Sequence, residues 1–261
     1  SAALVDCDAE EPNSIAFFEA RQIRQTEVTQ QVPVINTDIC TYCGKCNEYC
    51  NYNAIFIVPQ MKIIKVMEDL CHGCGACTVA CTFQAISEKP VSLGTVITYS
   101  NNGKPSLIEA RMNVGVMSPV PMIKEAVKQA DDMAEIIIMD SPPGTSCPFI
   151  QTVATADYVV LVTEPTPFGL SDLKQSVETL KKINKPYGVI INRAGLGNKS
   201  VQEYIEHEGI AHLFDIPFRK DIAELYAVGR IVSETDSLLA GQMLTLIEYI
   251  SLQYGNSNNQ R

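Results

Sequence analysis

The chain has 261 residues, of which 46% are hydrophobic and 19% charged, and a formal net charge of −10. That is apolar material for one large core or two modest ones, so a soluble globular protein is expected and a disordered polymer is not. The negative balance disfavours nucleic acid as a partner, no apolar run reaches the length of a transmembrane segment, and SAALVDCD at the start lacks the basic-then-apolar order of a signal peptide, so a cytoplasmic location is expected.

In chain order, the first predicted element is a strand, SAALVDCD, whose apolar run finishes on Asp6 and Asp8. Cys7, inside that run, reads as a small buried residue. The next feature is a doubled phrase: ICTYCGKCNEYCNYNAIFI at residues 39–57 returns 31 residues later as LCHGCGACTVACTFQAISE. Each copy holds a C-x2-C-x2-C-x3-C run, with Cys40, Cys43, Cys46 and Cys50 in the first and Cys71, Cys74, Cys77 and Cys81 in the second. Three thiolates two residues apart can line a tight loop and grip three corners of one cubane. In two-cluster ferredoxins, the fourth cysteine of such a run ligates the other cluster. Cys40, Cys43, Cys46 and Cys81 are therefore the candidate ligands of one 4Fe-4S cluster, and Cys71, Cys74, Cys77 and Cys50 those of a second. Gly44, Gly73 and Gly75 would let the backbone turn sharply and bring N–H groups toward the sulfurs. The alternatives are structural zinc and buried free thiols, but zinc usually takes two C-x2-C pairs set about a dozen or more residues apart. His72 reads as an exposed loop residue, since the ligand count is already complete.

Beyond the repeat the pattern becomes short apolar strands alternating with amphipathic helices. AEIIIMD (134–140), DYVVLVT (157–163) and YGVIIN (187–192) are continuous runs of the kind found in parallel strands covered on both faces. LSDLKQSVETLKKI places Leu170, Leu173, Val177 and Leu180 on one helix face, and LLAGQMLTLIEYI does the same with Leu239, Met243, Leu246 and Ile250. Strand, helix and strand at these spacings predict a parallel α/β sheet, whose ligands belong at the carboxyl ends of the strands. Asp6, Asp8 and Asp140 end such strands, where a carboxylate can hold a magnesium-bound water or can simply close a turn.

Residues 34–88 resemble a bacterial two-cluster ferredoxin domain, although Asn51 and Thr82 stand where that family has proline after the fourth cysteine. VDCDAEEPN, DSPPGTSCP and VIINRAGLGN, in this order, resemble the MinD-like, deviant-Walker P-loop ATPases, in particular the subgroup with an inserted ferredoxin domain. The resemblance covers essentially the whole chain. It implies an α/β parallel-sheet P-loop NTPase fold, with residues 1–30 as a first ATPase part, 31–92 as an inserted α+β ferredoxin domain and 93–261 as a second ATPase part. It also implies ATP or ADP with Mg2+ as cofactors. Asp8, in preference to Asp6, would be the switch I aspartate that positions water and magnesium, and Asp140 the Walker B aspartate. Pro142, Pro143 and Gly144 would form the switch II loop, Asn192 and Arg193 would contact adenine, and Pro217 would help close the base pocket. Cys147 lies just after the switch II phrase, where a nucleotide-dependent homodimer could bring two copies together.

The phosphate-binding motif G-x-x-x-x-G-K-[ST] does not occur, since GNKS (197–200) and NGKPS (102–106) lack its glycine spacing and preceding strand. In the family that loop precedes the strand ending in DCD. The resemblance thus implies a chain given without its first strand and helix, and ATP hydrolysis is expected of the complete protein only. These readings leave three functions: a redox ATPase that gates electrons to a partner protein, an iron–sulfur assembly or carrier factor serving an acceptor, or an electron-carrier scaffold with an inactive ATPase fold.

Overall fold

The computed structural model describes residues 1–101, 104–131 and 133–255, so Asn102 and Gly103 of the NGKPS stretch lie outside the described residues. The chain packs as two compact units, one built from Ser1–Pro12 and Ala20–Ile138, the other from Asn13–Glu19 and Met139–Arg261.

In chain order the first unit contains β1 (Ala2–Asp6), β2 (Arg21–Ile35), α1 (Lys45–Glu48), β3 (Ile55–Val58), β4 (Ile63–Val66), α2 (Ala76–Ala80), β5 (Ile86–Asn101), β6 (Lys104–Met112), α3 (Val120–Ala130) and β7 (Ile136–Asp140), whose last two residues count with the second unit. Its main sheet has the order β2-β5-β6-β1-β7. Strands β1 and β6 run parallel, with Leu4 opposite Leu107 and Asp6 opposite Glu109. Two pairings of this sheet are antiparallel, since β5 runs against both β2 and β6. The reason is topological: β2 leads out to the cysteine-rich lobe and β5 leads back, so two arms of one excursion must run in opposite directions. Over Gly94–Asn101, β5 has a partner on each side, whereas from Ile86 to Ser92 it pairs with β2 alone and the sheet narrows to a two-stranded ribbon. The cysteine-rich lobe sits at the ribbon's far end, completed by the β3–β4 hairpin. The apolar face of α3, with Met122, Ile123, Ala126 and Ala130 buried, lies against β5, β6 and β1. Val5, Val96, Leu107 and Ile108 complete that core, and each large side chain contributes about 1.5–3 kcal/mol.

The second unit contains α4 (Cys147–Ala154), β8 (Val159–Thr163), α5 (Pro167–Lys182), β9 (Tyr187–Ala194), α6 (Ser200–His207), β10 (Ala211–Pro217), α7 (Lys220–Ala227) and α8 (Ser237–Tyr254). Its sheet, β10-β9-β8, is parallel throughout, as the apolar runs predict. Thr166 starts α5 by accepting the Gly169 N–H at 3.0 Å, and Pro167 at the first helical position supplies a fixed φ where no N–H partner is needed. Leu173, Val177 and Leu180 are buried against this sheet and Leu170 is partly buried, matching the predicted face. The predicted stripe on α8 is only half-buried, and no residue of that helix is fully enclosed. Among the described residues, no helix is long and apolar enough to cross a membrane.

Candidate metal centres

The four-residue helix α1 and the five-residue helix α2 each start behind a left-handed glycine, Gly44 (φ 83°) and Gly75 (φ 71°). That conformation costs glycine nothing and lets the loop carrying the first two cysteines fold back over the helix that carries the third and precedes the fourth. Two cavities result. One is walled by Cys50, Cys71, Cys74 and Cys77, with about 370 Å³ of space that includes its opening to solvent. The other, of about 350 Å³, is walled by Cys40, Cys43, Cys46 and Cys81. In each, three cysteines come from one sequence run and the fourth from the other.

The sulfurs are prepared alike in the two copies. The Cys40 sulfur accepts the Tyr42 N–H at 3.4 Å and the Cys71 sulfur accepts that of Gly73 at 3.4 Å, while Cys50 and Cys81 accept the N–H groups of Ala54 and Ala85, both at 3.3 Å. Such donors favour thiolate over thiol and stabilise electron-rich sulfur. Burial works against them, pushing the Cys46, Cys71 and Cys77 thiols above their ordinary range, so occupancy has to displace protons. No three of His, Cys, Asp and Glu among the described residues converge closely enough to hold a single metal ion. Four sulfurs spread around each cavity suit a polynuclear group rather than one zinc ion, and the residues present fit a 4Fe-4S cluster in each. His72, exposed as expected, stacks on the Tyr52 ring at 3.8 Å beside the first of these cavities.

The other candidate residues lie at strand ends, in both units. In the first, Asp6 is buried at the end of β1 and its Oδ1 accepts the Asp8 N–H at 3.2 Å, so it shapes the turn that presents Asp8. The Asp8 carboxyl is held above the usual carboxylate range by burial first and by the neighbouring Asp6 charge second. Cys7, between them, is fully buried. In the second unit, Asp140 is exposed at the tip of β7 and its Oδ2 accepts the Ser14 hydroxyl at 3.3 Å. Gly144 has φ 86°, and Cys147 is exposed at the first turn of α4. Asn192, Arg193 and Pro217 meet at the carboxyl ends of β9 and β10, where Ile216 faces Asn192 and Pro217 faces Ala194. Arg193 is left-handed (φ 53°), its N–H bonded to Asn192 Oδ1 at 2.9 Å and its guanidinium 3.2 Å from Glu164. A non-glycine residue in that region stores strain of the sort seen at ligand-binding turns.

Three polar groups escaped the sequence reading. Glu109, on β6, is fully buried, with Oε1 accepting from Arg111 Nε at 2.8 Å, and this carboxylate holds the guanidinium firmly charged. A charged i, i+2 pair closing the apolar run SLIEARM was the signal available for it. Gln30 Nε2 donates to the Cys71 carbonyl at 2.8 Å, and Glu88 accepts from Thr78 at 2.7 Å beside the same cavity. Both belong to the polar ribbon strands, which carried no signal.

Residues 77–193 match a family model described as an AAA domain, and residues 63–86 match one described as a 4Fe-4S binding domain. The uncharacterized protein MJ0579 of Methanocaldococcus jannaschii is 34% identical over 230 residues, covering 87% of this chain and 78% of that protein. The uncharacterized protein MJ0578 of the same organism is 30% identical over 246 residues, covering 94% and 83%. An iron-sulfur cluster carrier protein of Aquifex aeolicus is 28% identical over 134 residues, 45% of this chain and 37% of that protein. Among solved structures, the cell division ATPase MinD of Pyrococcus furiosus aligns with a TM-score of 0.49 at 16% identity, covering 94% of this chain and 86% of that one.

Proposed function

We propose that this chain, which belongs to the ParA/MinD-like family of AAA-domain ATPases and carries a 4Fe-4S binding domain, couples nucleotide state to electron transfer through two 4Fe-4S clusters to a partner protein. The observation that supports it is the continuity of β5: one strand lines both four-cysteine cavities at its start and pairs with β6, the parallel neighbour of the strand leading to Asp8, at its end. In this reading residues 31–92 are the inserted electron-carrying domain, with Cys40, Cys43, Cys46 and Cys81 holding one cluster and Cys50, Cys71, Cys74 and Cys77 the other. A bound cluster supplies a one-electron site.

The chain's own residues do the rest. Backbone N–H groups at Tyr42, Gly73, Ala54 and Ala85 offset negative charge on the sulfurs. Asp8 would be the carboxylate that holds magnesium or its bound water, which would supply charge stabilisation for phosphoryl transfer. Asp140 fills the Walker B role that the resemblance implies. Asn192, Arg193 and Pro217 hold the base, with Glu164 fixing the arginine. Redox titration of the cluster-loaded, full-length protein with and without Mg-ATP tests the coupling. Potentials and partner reduction rates that are identical in both conditions would refute it.

The carrier relative favours a second reading, in which the protein hands a cluster to an acceptor. Incubation with an apo-acceptor distinguishes the two: iron moves to the acceptor if the protein is a carrier and stays with this chain if it is a redox ATPase.

A further inference from the structure

We infer that nucleotide state acts on the cluster cavity walled by Cys50, Cys71, Cys74 and Cys77 and leaves the other unmoved, through a short hydrogen-bonded clamp between the Asp8 turn and the ribbon. The inference rests on the redox-ATPase reading and assigns its regulation to one of the two centres.

The clamp begins one residue after Asp8. Ala9 O accepts the N–H of Met112 at 2.8 Å, and Met112, the last residue of β6, is paired with Gly94. The next residue, Asn113, donates its N–H to Leu93 O at 2.9 Å and its side-chain amide to Ser92 Oγ at 3.3 Å. The turn after β1 is therefore tied to the end of β6, and the end of β6 in turn grips three residues of β5, Ser92 to Gly94. Here the register with β2 slips, because Val28 faces Gly94 but Thr29 faces Ser92, leaving Leu93 as the extra, buried residue of a bulge. A Cβ at Gly94 would lie 2.2 Å from Arg111 O, so the glycine is what allows β5 and β6 to close this tightly. Bulges of this kind bend a strand and re-aim the residues beyond them.

Past the bulge no third strand among the described residues braces the ribbon, and two-stranded ribbons are soft, so a displacement fades with distance from the clamp. The two cavities differ in that distance. Gln30, one residue beyond Thr29, donates to Cys71 O at 2.8 Å, and Gln31 packs its carbonyl against Gly73, where even a Cβ would come within 3.1 Å. The loop of Cys71 and Cys74 is thus attached about 3–7 Å past the end of the braced sheet. The other cavity meets the ribbon only at Ile35 and Ile86, the former about 20 Å past Thr29 at the usual rise per residue. A shift at the Asp8 turn reaches Cys71 almost undiminished and Cys40 hardly at all.

The test uses the full-length, cluster-loaded, reduced protein. Paramagnetic resonance and redox titration follow each cluster with Mg-ADP and with Mg-ATP, and Cys50→Ala identifies which signals belong to which cavity. The expected result is a nucleotide-dependent shift confined to the cluster that Cys50→Ala removes. Gln30→Ala and Asn113→Ala should abolish that shift while both clusters stay bound. Hydrogen exchange should change with nucleotide at residues 71–75 and not at 40–44. A shift in the other cluster, or one indifferent to Gln30→Ala and Asn113→Ala, overturns the route and leaves nucleotide coupling standing. No shift in either cluster overturns both readings.

Discussion

Paired cysteine substitutions decide how the eight ligand candidates are shared between centres. Cys46 and Cys50 are neighbours in one sequence run but face different cavities, whereas Cys50 and Cys77 come from different runs and face the same cavity. Replacing a cysteine by alanine removes one sulfur, costing about 1 kcal/mol of burial even at the enclosed Cys46 and Cys77. That is small beside ordinary domain stability, so the variants should fold. The expected consequence is written in iron. A 4Fe-4S centre missing one corner is lost on gel filtration, so each single variant should retain about four of about eight irons per chain. Cys50→Ala with Cys77→Ala should be no worse than either alone, at about four irons, because both changes strike one site. Cys46→Ala with Cys50→Ala should retain about none. The assay is anaerobic reconstitution followed by iron and sulfide determination, with far-ultraviolet circular dichroism confirming the fold. If each run instead served its own cluster, the two double variants would exchange outcomes, and that result would refute the reasoning from cavity walls.

Three further predictions concern the second unit, each read by urea unfolding. Leu180, fully buried on α5, should cost about 2–5 kcal/mol on replacement by alanine, and a loss under about 1 kcal/mol would mean that α5 does not pack as described. Gly169→Ala would place a Cβ 2.3 Å from Glu164 O in the first turn of α5, and should cost about 1–3 kcal/mol; a neutral result would show that the turn can relax. Burial, with the Tyr249 and Tyr254 phenols adding to it, pushes Tyr158 up to about 12, above the unfolded value of about 10. The folded state therefore holds the phenolic proton longer than the unfolded chain does. Its stabilising contribution is complete below the unfolded value and is lost as pH rises through the folded one. Unfolding midpoints should fall between about pH 9 and about pH 11 by more in the wild type than in Tyr158→Phe, and equal falls would contradict the burial argument.

Legibility followed the range of the interactions concerned. The strands at 136–140, 159–163 and 187–194 and the helix at 167–182 were readable because a run covered by helices is apolar from end to end, and a helix on a sheet repeats with its own period. The ribbon was not. RQIRQTEVTQQVPVI forms a 15-residue strand although most of its side chains are solvent-exposed, since its partner lies about eighty residues away at its start and its stability comes from backbone pairing with β5 rather than from an apolar face. The half-buried α8 stripe shows the reverse: helical spacing of Leu239, Met243, Leu246 and Ile250 fixed the helix but not how deeply it packs.

The amino-acid order by itself determined the ligand chemistry, because eight cysteines at two- and three-residue spacings on glycine-started loops confine thiolates locally, whatever lies further along the chain. It likewise determined two of the carboxylates that end apolar strands, Asp6 and Asp140. Only the tertiary structure decided that Asp6 is buried while Asp8 is half-open, and that the fully buried Glu109 pairs with a solvent-exposed Arg111. Those depend on pairings between segments tens of residues apart, Asp6 with Glu109 and Gln30 with Val91 among them, and such a register is set by closure of the whole sheet rather than by any local run of side chains.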